Sequence, residues 1–343
     1  MSSDQKQRHG ISRRTLLAAS AALPLCSIIS RRGYAAEFPY KMATGQDPTH
    51  PVNIRAQEAC NRIREATGGR LDLQLFPANQ LGSDTDLLSQ LRSGAVEFFN
   101  LSASILATFA PLAGIVNTGF AFPDYKSVWS AMDGALGDHL RAQIAKTGIQ
   151  AEFRLWDNGF RHVTTSTKSI QTPDDIKGLK IRVPPAPMLN SVFQSLGAAP
   201  TPINFNELYT ALQTKIVEGQ ENPLAITATT RLYEVQKYCS MTGHVWDGYL
   251  MLANRRSWSR LPDDIKAVVS REINASGEDQ RTDIAKLSVS LRDDLTGKGL
   301  QFNEVDRPAF QAALRKTPFY QSWKAKYGDE AWSLLEAISG KLA

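Results

Sequence analysis

Short apolar segments alternate with helical ones along this chain, and the alternation occurs twice. In the first occurrence, leucines at 71, 73 and 75 alternate with polar residues, which predicts a strand over 71–76. The preceding segment, 51–67, has apolar residues at helical spacing and ends at Gly68-Gly69. The same criteria predict a strand at 40–43, a helix at 84–92 and a buried strand at 95–101. Such alternation is typical of an α/β fold.

The second alternation begins near residue 160. It predicts a strand at 180–183, a helix at 188–196, a helix at 206–214 and a strand from 216. A weak internal repeat links the two halves, because residues 86–98 and 207–219 share an acidic residue, two leucines and Val-Glu in register. A match this short could arise by chance, but two lobes of similar topology explain it more naturally. The strand ends of both lobes would then face one cleft.

The remaining length is mostly helical. A chain of 343 residues suggests about two domains. After a strand at 249–253, a helical pattern runs from Pro262 to about Leu295, interrupted only by Gly277. A helix of this length is expected to span both lobes or to run along their backs. Shorter helices are predicted at 307–315, 319–326 and 329–338.

Residues 1–35 are predicted to be an export signal. A positive stretch ends in Ser-Arg-Arg-Thr-Leu-Leu at 12–17, an apolar run extends to Ile29, and Gly33-Tyr34-Ala35 forms a small-x-small cleavage site. The apolar run is shorter than the about 20 residues of a membrane span. The paired arginines resemble a twin-arginine signal, and an ordinary Sec signal that contains two arginines is the alternative. Either signal predicts a soluble periplasmic product.

The positive charge of the chain is confined to that segment. The whole chain has a net charge of +5, and residues 1–35 hold six basic side chains against the single acid Asp4. The remainder is therefore neutral, and it lacks electrostatic support for binding nucleic acid or an anionic membrane surface.

Patterns of known catalytic and metal sites are absent from the sequence. There is no glycine-rich phosphate loop before a helix, no GxSxG elbow and no CxxC pair, and the histidines beyond the signal are not paired at metal-ligand spacing. Cys60 and Cys239 are too few for a disulfide framework, and Cys60 is expected to be a buried free thiol. Ser, Asp and His could still meet in three dimensions. We nevertheless expect a protein that is not an enzyme and that uses no cofactor. The sequence identifies no metal ligands, and whether a metal ion assists binding is left open.

An ordered set of motifs runs through the second half of the chain. It consists of Asn-Gly-Phe-Arg at 158–161, Gly-Leu-Lys-Ile-Arg-Val at 178–183, Leu-Gly-Ala-Ala-Pro at 196–200, Leu-Tyr-Thr-Ala-Leu-Gln at 208–213 and Val-Glu-Gly-Gln-Glu-Asn-Pro at 217–223, preceded by Leu-Phe-Pro-Ala-Asn-Gln-Leu-Gly at 75–82. Together these motifs resemble the DctP-type solute-binding subunits of tripartite ATP-independent periplasmic (TRAP) transporters. The resemblance extends over about residues 37–340.

This resemblance implies a two-lobed α/β periplasmic binding protein fold, with a hinge and a long C-terminal helix spanning the lobes. We expect lobe I to comprise 36–158 plus 248–287 and lobe II to comprise 159–247 plus 288–343. The implied function is capture of a small organic acid anion between the lobes, for uptake through the small and large TRAP membrane subunits. A monomer with no nucleic-acid partner is expected. A ligand sensor that feeds a signalling partner is the alternative on the same fold.

The resemblance also assigns four ligand-binding residues. Arg182 is expected to clamp the ligand carboxylate, since a planar guanidinium offers paired donors that match a carboxylate; a surface ion pair is the alternative. Arg161 would balance ligand charge, or else lie in solvent. Asn222 would bond the carboxylate, or else form an Asn-Pro turn. Phe205 would line the pocket, or else belong to the core.

Four weaker candidates come from the first lobe and the hinge. Thr44 and Ser102 lie at predicted strand ends that would face the cleft. Trp156 and Trp246 lie near the predicted lobe crossings and would stack on or cover the ligand, although tryptophan is more often part of a core. Ser102 stands where the sialic-acid-binding members have an acidic residue, which argues against a large polyhydroxylated sugar acid.

Overall fold

Two mixed β-sheets form the framework of the protein in the computed structural model, which describes residues 36–343; the predicted export signal lies outside the described residues. These residues form one compact unit. The strands are β1 (Phe38–Thr44), β2 (Leu71–Phe76), β3 (Phe98–Ser102), β4 (Ile149–Ala151), β5 (Trp156–Phe160), β6 (His162–Thr165), β7 (Lys180–Val183), β8 (Ala199–Pro202), β9 (Gly219–Asn222), β10 (Tyr238–Met241), β11 (Trp246–Asn254) and β12 (Gln301–Glu304).

Helices cover both sheets. They are α1 (Pro51–Ala66), α2 (Asp84–Ser93), α3 (Ala103–Leu106), α4 (Tyr125–Met132), α5 (Ala135–Ala145), α6 (Pro173–Ile176), α7 (Pro187–Ser195), α8 (Leu208–Gln213), α9 (Leu224–Thr229), α10 (Arg255–Arg260), α11 (Asp263–Gly297), α12 (Arg307–Arg315), α13 (Phe319–Tyr327) and α14 (Asp329–Ser339). Short 3-10 helices lie at Pro111–Asn117, Phe205–Glu207 and Leu232–Glu234.

Local sequence signals explain where α2 begins and ends. The Ser83 hydroxyl accepts a hydrogen bond from the Asp86 amide while the Asp86 carboxylate accepts one from the Ser83 amide, which forms a capping box. Gly94 then ends the helix in the left-handed region, at φ 84°. The amides of Ala95 and Val96 also bond back to the Gln90 carbonyl. Strand β3 therefore begins at Phe98, three residues later than predicted.

The first sheet has the order β2-β1-β3-β11-β4, and β5 also pairs with β11. Strands β1, β2 and β3 are parallel, while β11 runs antiparallel to β3, β4 and β5. The carboxyl ends of β1 and β3 therefore lie at one edge of this sheet, as is usual for ligand sites of α/β proteins.

The second sheet has the order β12-β10-β6-β9-β7-β8. Strand β7 is parallel to β8 and β9, and β6 is antiparallel to β9 and β10. The chain crosses between the two sheets at Arg161, which separates β5 from β6, and again between β10 and β11. The predicted lobe boundaries at 158/159 and 247/248 fall within β5 and β11, close to these crossings.

Helix α11 is 35 residues long, or about 50 Å at the usual helical rise. It packs on α1 and β5 on the side of the first sheet and on α9 and β12 on the side of the second. This confirms the predicted long C-terminal helix that spans the two lobes of an α/β fold. None of the helices within residues 36–343 combines the length and apolar character needed to cross a bilayer.

Candidate functional site

A cleft lies between the two sheets, at the strand ends where the chain crosses from one sheet to the other. Its empty volume is about 400 Å³, including space that is open to solvent. Its polar lining comprises Gln46, Asp84, Asn100, Ser102, Ser104, Asn158, Arg161, Arg182, Asn222 and Tyr249, and its apolar lining includes Leu101, Ile105, Pro184, Phe205 and Ile226.

Arg182 is buried at the carboxyl end of β7, and only 1% of its surface is exposed. Its Nε donates to the Ile203 carbonyl at 2.8 Å, which fixes the direction of the guanidinium. No carboxylate oxygen among residues 36–343 lies within salt-bridge distance of it. Burial lowers the pKa of Arg182 to about 10, so the side chain keeps its charge at neutral pH. It is a buried cation whose terminal nitrogens remain available to a ligand.

Arg161 is also buried in the cleft, but its charge is already paired. Its Nε and Nη2 donate to the two Glu221 carboxylate oxygens at 2.5 and 2.7 Å, and its Nη1 lies 3.5 Å from Asp247 Oδ2. Burial opposes the charge of Arg161, yet the charge and hydrogen bonds of Glu221, together with the charge of Asp247, raise the pKa of Arg161. In the same way, Arg161 outweighs burial of Glu221 and lowers the pKa of that carboxyl to about 2.

His244 extends this pair behind the cleft. Its Nε2 lies 3.0 Å from Glu221 Oε2 and its Nδ1 lies 2.8 Å from the Thr242 hydroxyl. Burial lowers the pKa of His244, although Glu221 opposes the shift. The ring is therefore neutral at pH 7, and the arrangement assigns the proton to Nε2, which donates to Glu221.

Asp247 collects donors from three other elements. It accepts hydrogen bonds from Ser102 Oγ at 2.6 Å, Asn158 Nδ2 at 2.9 Å and Asn117 Nδ2 at 2.9 Å. Ser102 also bonds Ser104 at 2.6 Å. Ser102 therefore lines the cleft and fixes a buried carboxylate beside Arg161.

Asn222 and Phe205 both line the cleft, as the sequence predicted for their position. Asn222 Oδ1 accepts from Arg161 Nη2 at 2.9 Å, and Asn222 Nδ2 donates to Gln220 Oε1 at 2.6 Å. Phe205 is half-buried, and its ring also packs on the apolar cluster around Leu208 and Leu212. Phe205 therefore both lines the cleft and packs against an apolar cluster.

Three of the predicted site residues do not line the cleft. Thr44 is buried and donates to Asn53 Oδ1 at 2.6 Å. Trp246 is buried and donates from Nε1 to Asp157 Oδ1 at 2.9 Å. Trp156 lies in the apolar cluster beneath α11, where a Cβ added to Gly277 would come within 2.8 Å of its Nε1.

Asp84 and Gly45 form part of the lining that the sequence did not suggest. Asp84 begins α2 and accepts from Asn79 Nδ2 at 2.9 Å. Burial raises the pKa of Asp84, while Asn79 and the charge of Arg182 oppose the rise. A Cβ on Gly45 would lie 2.5 Å from Asp84 Oδ1, so a side chain at this position would displace the Asp84 carboxylate.

Gln46, Asn100, Asn158 and Tyr249 were also missed as site residues. Each has at least one buried polar atom without a hydrogen-bond partner among the described residues. A polar Asn100 inside the apolar run of 95–101 was the one available signal. Within residues 36–343, no cluster of three or more His, Cys, Asp or Glu side chains could hold a metal ion.

Comparison with known proteins gives consistent matches. The family model DctP, described as bacterial extracellular solute-binding protein, family 7, matches residues 42–325. The protein y4mM of Sinorhizobium fredii is 34% identical over 319 residues, 91% of this chain, and the chain spans 58% of the length of that relative. The Escherichia coli 2,3-diketo-L-gulonate-binding periplasmic protein YiaO is 31% identical over 267 residues, which are 78% of this chain and 81% of YiaO.

A solved structure extends the match to the fold. The TRAP periplasmic solute-binding protein from Polaromonas sp. JS666, bound to D-erythronate, has a TM-score of 0.84 and 29% sequence identity with this chain. The match covers 89% of this chain and 99% of that chain.

Proposed function

Because the chain belongs to the DctP family of TRAP-transporter solute-binding proteins, we propose that it captures a small organic acid anion in its cleft in the periplasm. The small and large TRAP membrane subunits then receive the anion for uptake. Export by the twin-arginine route, directed by residues 1–35, and action as a monomer complete the proposal. The ligand is bound and released without chemical change.

The observation that carries this proposal is the state of Arg182. Within the part of the chain that the structure describes, this buried guanidinium has one backbone hydrogen bond and no carboxylate partner, which is costly unless an anion pairs with it. A ligand carboxylate would accept two parallel hydrogen bonds from its terminal nitrogens. Within a closed cleft such a pair is poorly screened by water, which favours tight binding.

Other lining residues support the same role. Glu221 orients Arg161 and balances its charge. Arg161 Nη1 therefore helps to position the ligand but adds little net positive charge to the cleft. Asn222, held by Arg161, offers the remaining hydrogen of its amide nitrogen to the ligand. Phe205 shapes the apolar part of the pocket, and Ser102 acts by fixing Asp247. Thr44, Trp156 and Trp246 act indirectly, through the packing behind the cleft.

Names of the relatives agree with an acid ligand. YiaO is named for binding 2,3-diketo-L-gulonate, and the Polaromonas protein was solved with D-erythronate. Both ligands are organic acids. The chain crossings at Arg161 and between β10 and β11 provide the hinge for closure over such a ligand.

A thermal-shift screen tests the proposal. Residues 36–343, the compact unit described above, are screened against organic acids and neutral sugars. An acid that binds the folded protein raises its melting temperature by mass action. At an acid concentration of about 100 times the Kd, the free energy of unfolding rises by about 2.7 kcal/mol. Arg182→Ala should weaken binding at least about 30-fold, the cost of truncating one partner of a buried charge pair. Arg64→Ala, which removes an exposed arginine of α1, is the matched control. Stabilisation by neutral sugars alone would refute the proposal.

A further inference from the structure

The wall of the cleft formed by the first sheet has hydrogen-bonding capacity that the protein itself does not use. Gln46, Asn100, Asn158 and Tyr249 lie in or just after β1, β3, β5 and β11, and we call them the first-sheet wall. Among the described residues, no partner is present for Gln46 Oε1, both side-chain polar atoms of Asn100, Asn158 Oδ1 or Tyr249 Oη. Buried polar atoms are normally paired, so a group of five around one cavity points to a ligand.

The orientation of Asn158 determines what the ligand must offer there. Its Nδ2 donates to Asp247 Oδ2 at 2.9 Å, and Asp247 also accepts from Ser102 and Asn117. Because the amide nitrogen faces this acceptor, the free Oδ1 is itself an acceptor and needs a donor from the ligand. A hydroxyl group supplies one. A ligand carboxylate at this position would oppose oxygen to oxygen.

The remaining atoms of the wall also match hydroxyl groups. Tyr249 is fully buried, and burial raises its pKa well above the ordinary value, so its hydroxyl keeps its proton. Asn100 offers one donor and one acceptor side by side, and Gln46 Oε1 offers a further acceptor. A hydroxyl both donates and accepts, so a short chain of hydroxyl groups satisfies this mixed set, whereas an ionised carboxylate accepts only.

The charges of the lining leave room for one carboxylate. Two cations line the cleft, and Arg161 is already paired with Glu221 and lies beside Asp247. Arg182 alone lacks a carboxylate within salt-bridge distance among residues 36–343. A second ligand carboxylate would have no cation of its own and would approach the Asp84 and Asp247 side of the cleft. Repulsion of this kind excludes a competing ligand.

We propose that the ligand is a hydroxylated monocarboxylate, with its carboxylate on Arg182 and its hydroxyl groups on the first-sheet wall, and that dicarboxylates are rejected. This inference rests on the acid-binding function proposed above and narrows its ligand class. It also revises the sequence-based argument from Ser102 against sugar acids, because Asp247 places an acidic group beside Ser102 from another strand.

Four acids of equal chain length separate the two requirements. Butyrate has one carboxylate and no hydroxyl, succinate has two carboxylates and no hydroxyl, tartrate has two carboxylates and hydroxyls, and erythronate has one carboxylate and hydroxyls. Calorimetric titration of residues 36–343 should show erythronate binding at least about tenfold more tightly than the other three, since a site built to bond hydroxyls rejects analogues that lack them. Gluconate and adipate form the corresponding longer pair.

The outcomes distinguish this inference from the function on which it rests. Tighter binding of succinate than of erythronate, or of adipate than of gluconate, overturns the inference and leaves acid binding intact. Binding of none of these acids, nor of any acid in the wider screen, overturns both.

Variants of the wall give an independent test. Tyr249→Phe removes only the unpartnered hydroxyl and should weaken erythronate about tenfold, while butyrate is unaffected and the melting temperature of the free protein does not fall. Gln46→Leu should act in the same direction, since it keeps the backbone carbonyl that Asn53 and Ala78 bond. Equal losses for erythronate and butyrate, or no loss for either, would overturn the inference, because neither result depends on the hydroxyl groups of the ligand.

Discussion

The two sides of the cleft differ in how fully their polar groups are used. On the second-sheet side, Arg161, Glu221, Asn222 and His244 bond one another at distances between 2.5 and 3.0 Å. On the first-sheet wall, each of the four residues keeps at least one polar atom that has no partner within residues 36–343. Both sides are equally buried, so exposure to solvent does not explain the difference.

This difference shows two ways of preparing a binding site. The second-sheet network is complete before the ligand arrives, so it orients Arg161 and adds rigidity. The first-sheet wall carries the desolvation cost of unpaired polar atoms, and a ligand that pairs them removes that cost. Mutations within the network of Arg161, Glu221, Asn222 and His244 should therefore act mainly on stability. Mutations of the first-sheet wall should act mainly on affinity, as should mutation of Arg182, which lies on the second sheet but outside this network.

Arg161→Ala should give the largest effect on stability. It leaves Glu221 buried without its bidentate partner, so the free energy of unfolding should fall by about 3–5 kcal/mol. Arg182→Ala is the matched control, because within residues 36–343 Arg182 makes one hydrogen bond to a backbone carbonyl and no ion pair. Its loss should cost less than about 1.5 kcal/mol. Urea denaturation measures both. Equal losses of unfolding free energy would mean that the ion pair with Glu221 does not distinguish Arg161 from Arg182.

The pH dependence of stability should reveal a neutral group behind the first-sheet wall. His50 accepts from the Val52 amide through Nδ1, and its buried Nε2 has no partner among the described residues. Burial lowers the pKa of His50 to about 4, although Asp47 opposes the shift. Below pH 6.5 the unfolded chain therefore takes up a proton that the native state refuses, and stability falls as the pH drops towards 4. By pH 4.5 the loss should be on the order of 2 kcal/mol.

His50→Asn isolates this contribution, since asparagine can still cap α1 but does not titrate. The slope of unfolding free energy against pH between 6.5 and 4.5 should be shallower in the variant. A residual slope is expected in both proteins from His162, whose pKa burial lowers to about 3. Parallel curves would show that His50 is not buried in the neutral form.

Asn100→Leu should stabilise the free protein while weakening the ligand complex. It removes two buried polar atoms that have no partner among the described residues, so the free energy of unfolding should rise by about 1–2 kcal/mol. Asn117→Leu is the control at another buried asparagine, whose Nδ2 donates to the Trp246 carbonyl and to Asp247. That variant should be destabilised. A destabilised Asn100→Leu would mean that its polar atoms are satisfied in the free protein.

The sequence predicted the framework of the site better than its lining. Strands 71–76 and 180–183 were predicted residue for residue, because alternation and flanking turns define short strands well. Arg182, which its motif singled out, lines the cleft. The pairing of Arg161 with Glu221 was not predicted, since the two are 60 residues apart and meet only when β6 and β9 pair antiparallel, with His162 opposite Asn222.

The two faces of β11 explain why the sequence predicted Trp246, and not Tyr249, as the aromatic residue at the cleft. Every residue from Trp246 to Asn254 is buried, so the sequence has no polar alternation that would distinguish the two faces of the strand. Trp246 packs in the same cluster as Leu250, whereas Tyr249 packs with Met251 and carries its hydroxyl to the cleft. An aromatic near the crossing was expected at the ligand, but the choice between Trp246 and Tyr249 needed the three-dimensional structure.

Trp156→Phe provides the most stringent check on the comparison, because the smallest effect is expected. Trp156 Nε1 is buried and unpartnered, as in the first-sheet wall, but the ring lies in the core beneath α11 and does not line the cleft. Lost packing and removal of the unpartnered N–H oppose each other, so the free energy of unfolding should change by less than about 1 kcal/mol. Affinity for the acid should stay within about twofold, since the site is not contacted. A tenfold loss of affinity would show that an unpartnered atom outside the cleft also affects ligand binding. The difference in affinity could then no longer be assigned to the first-sheet wall.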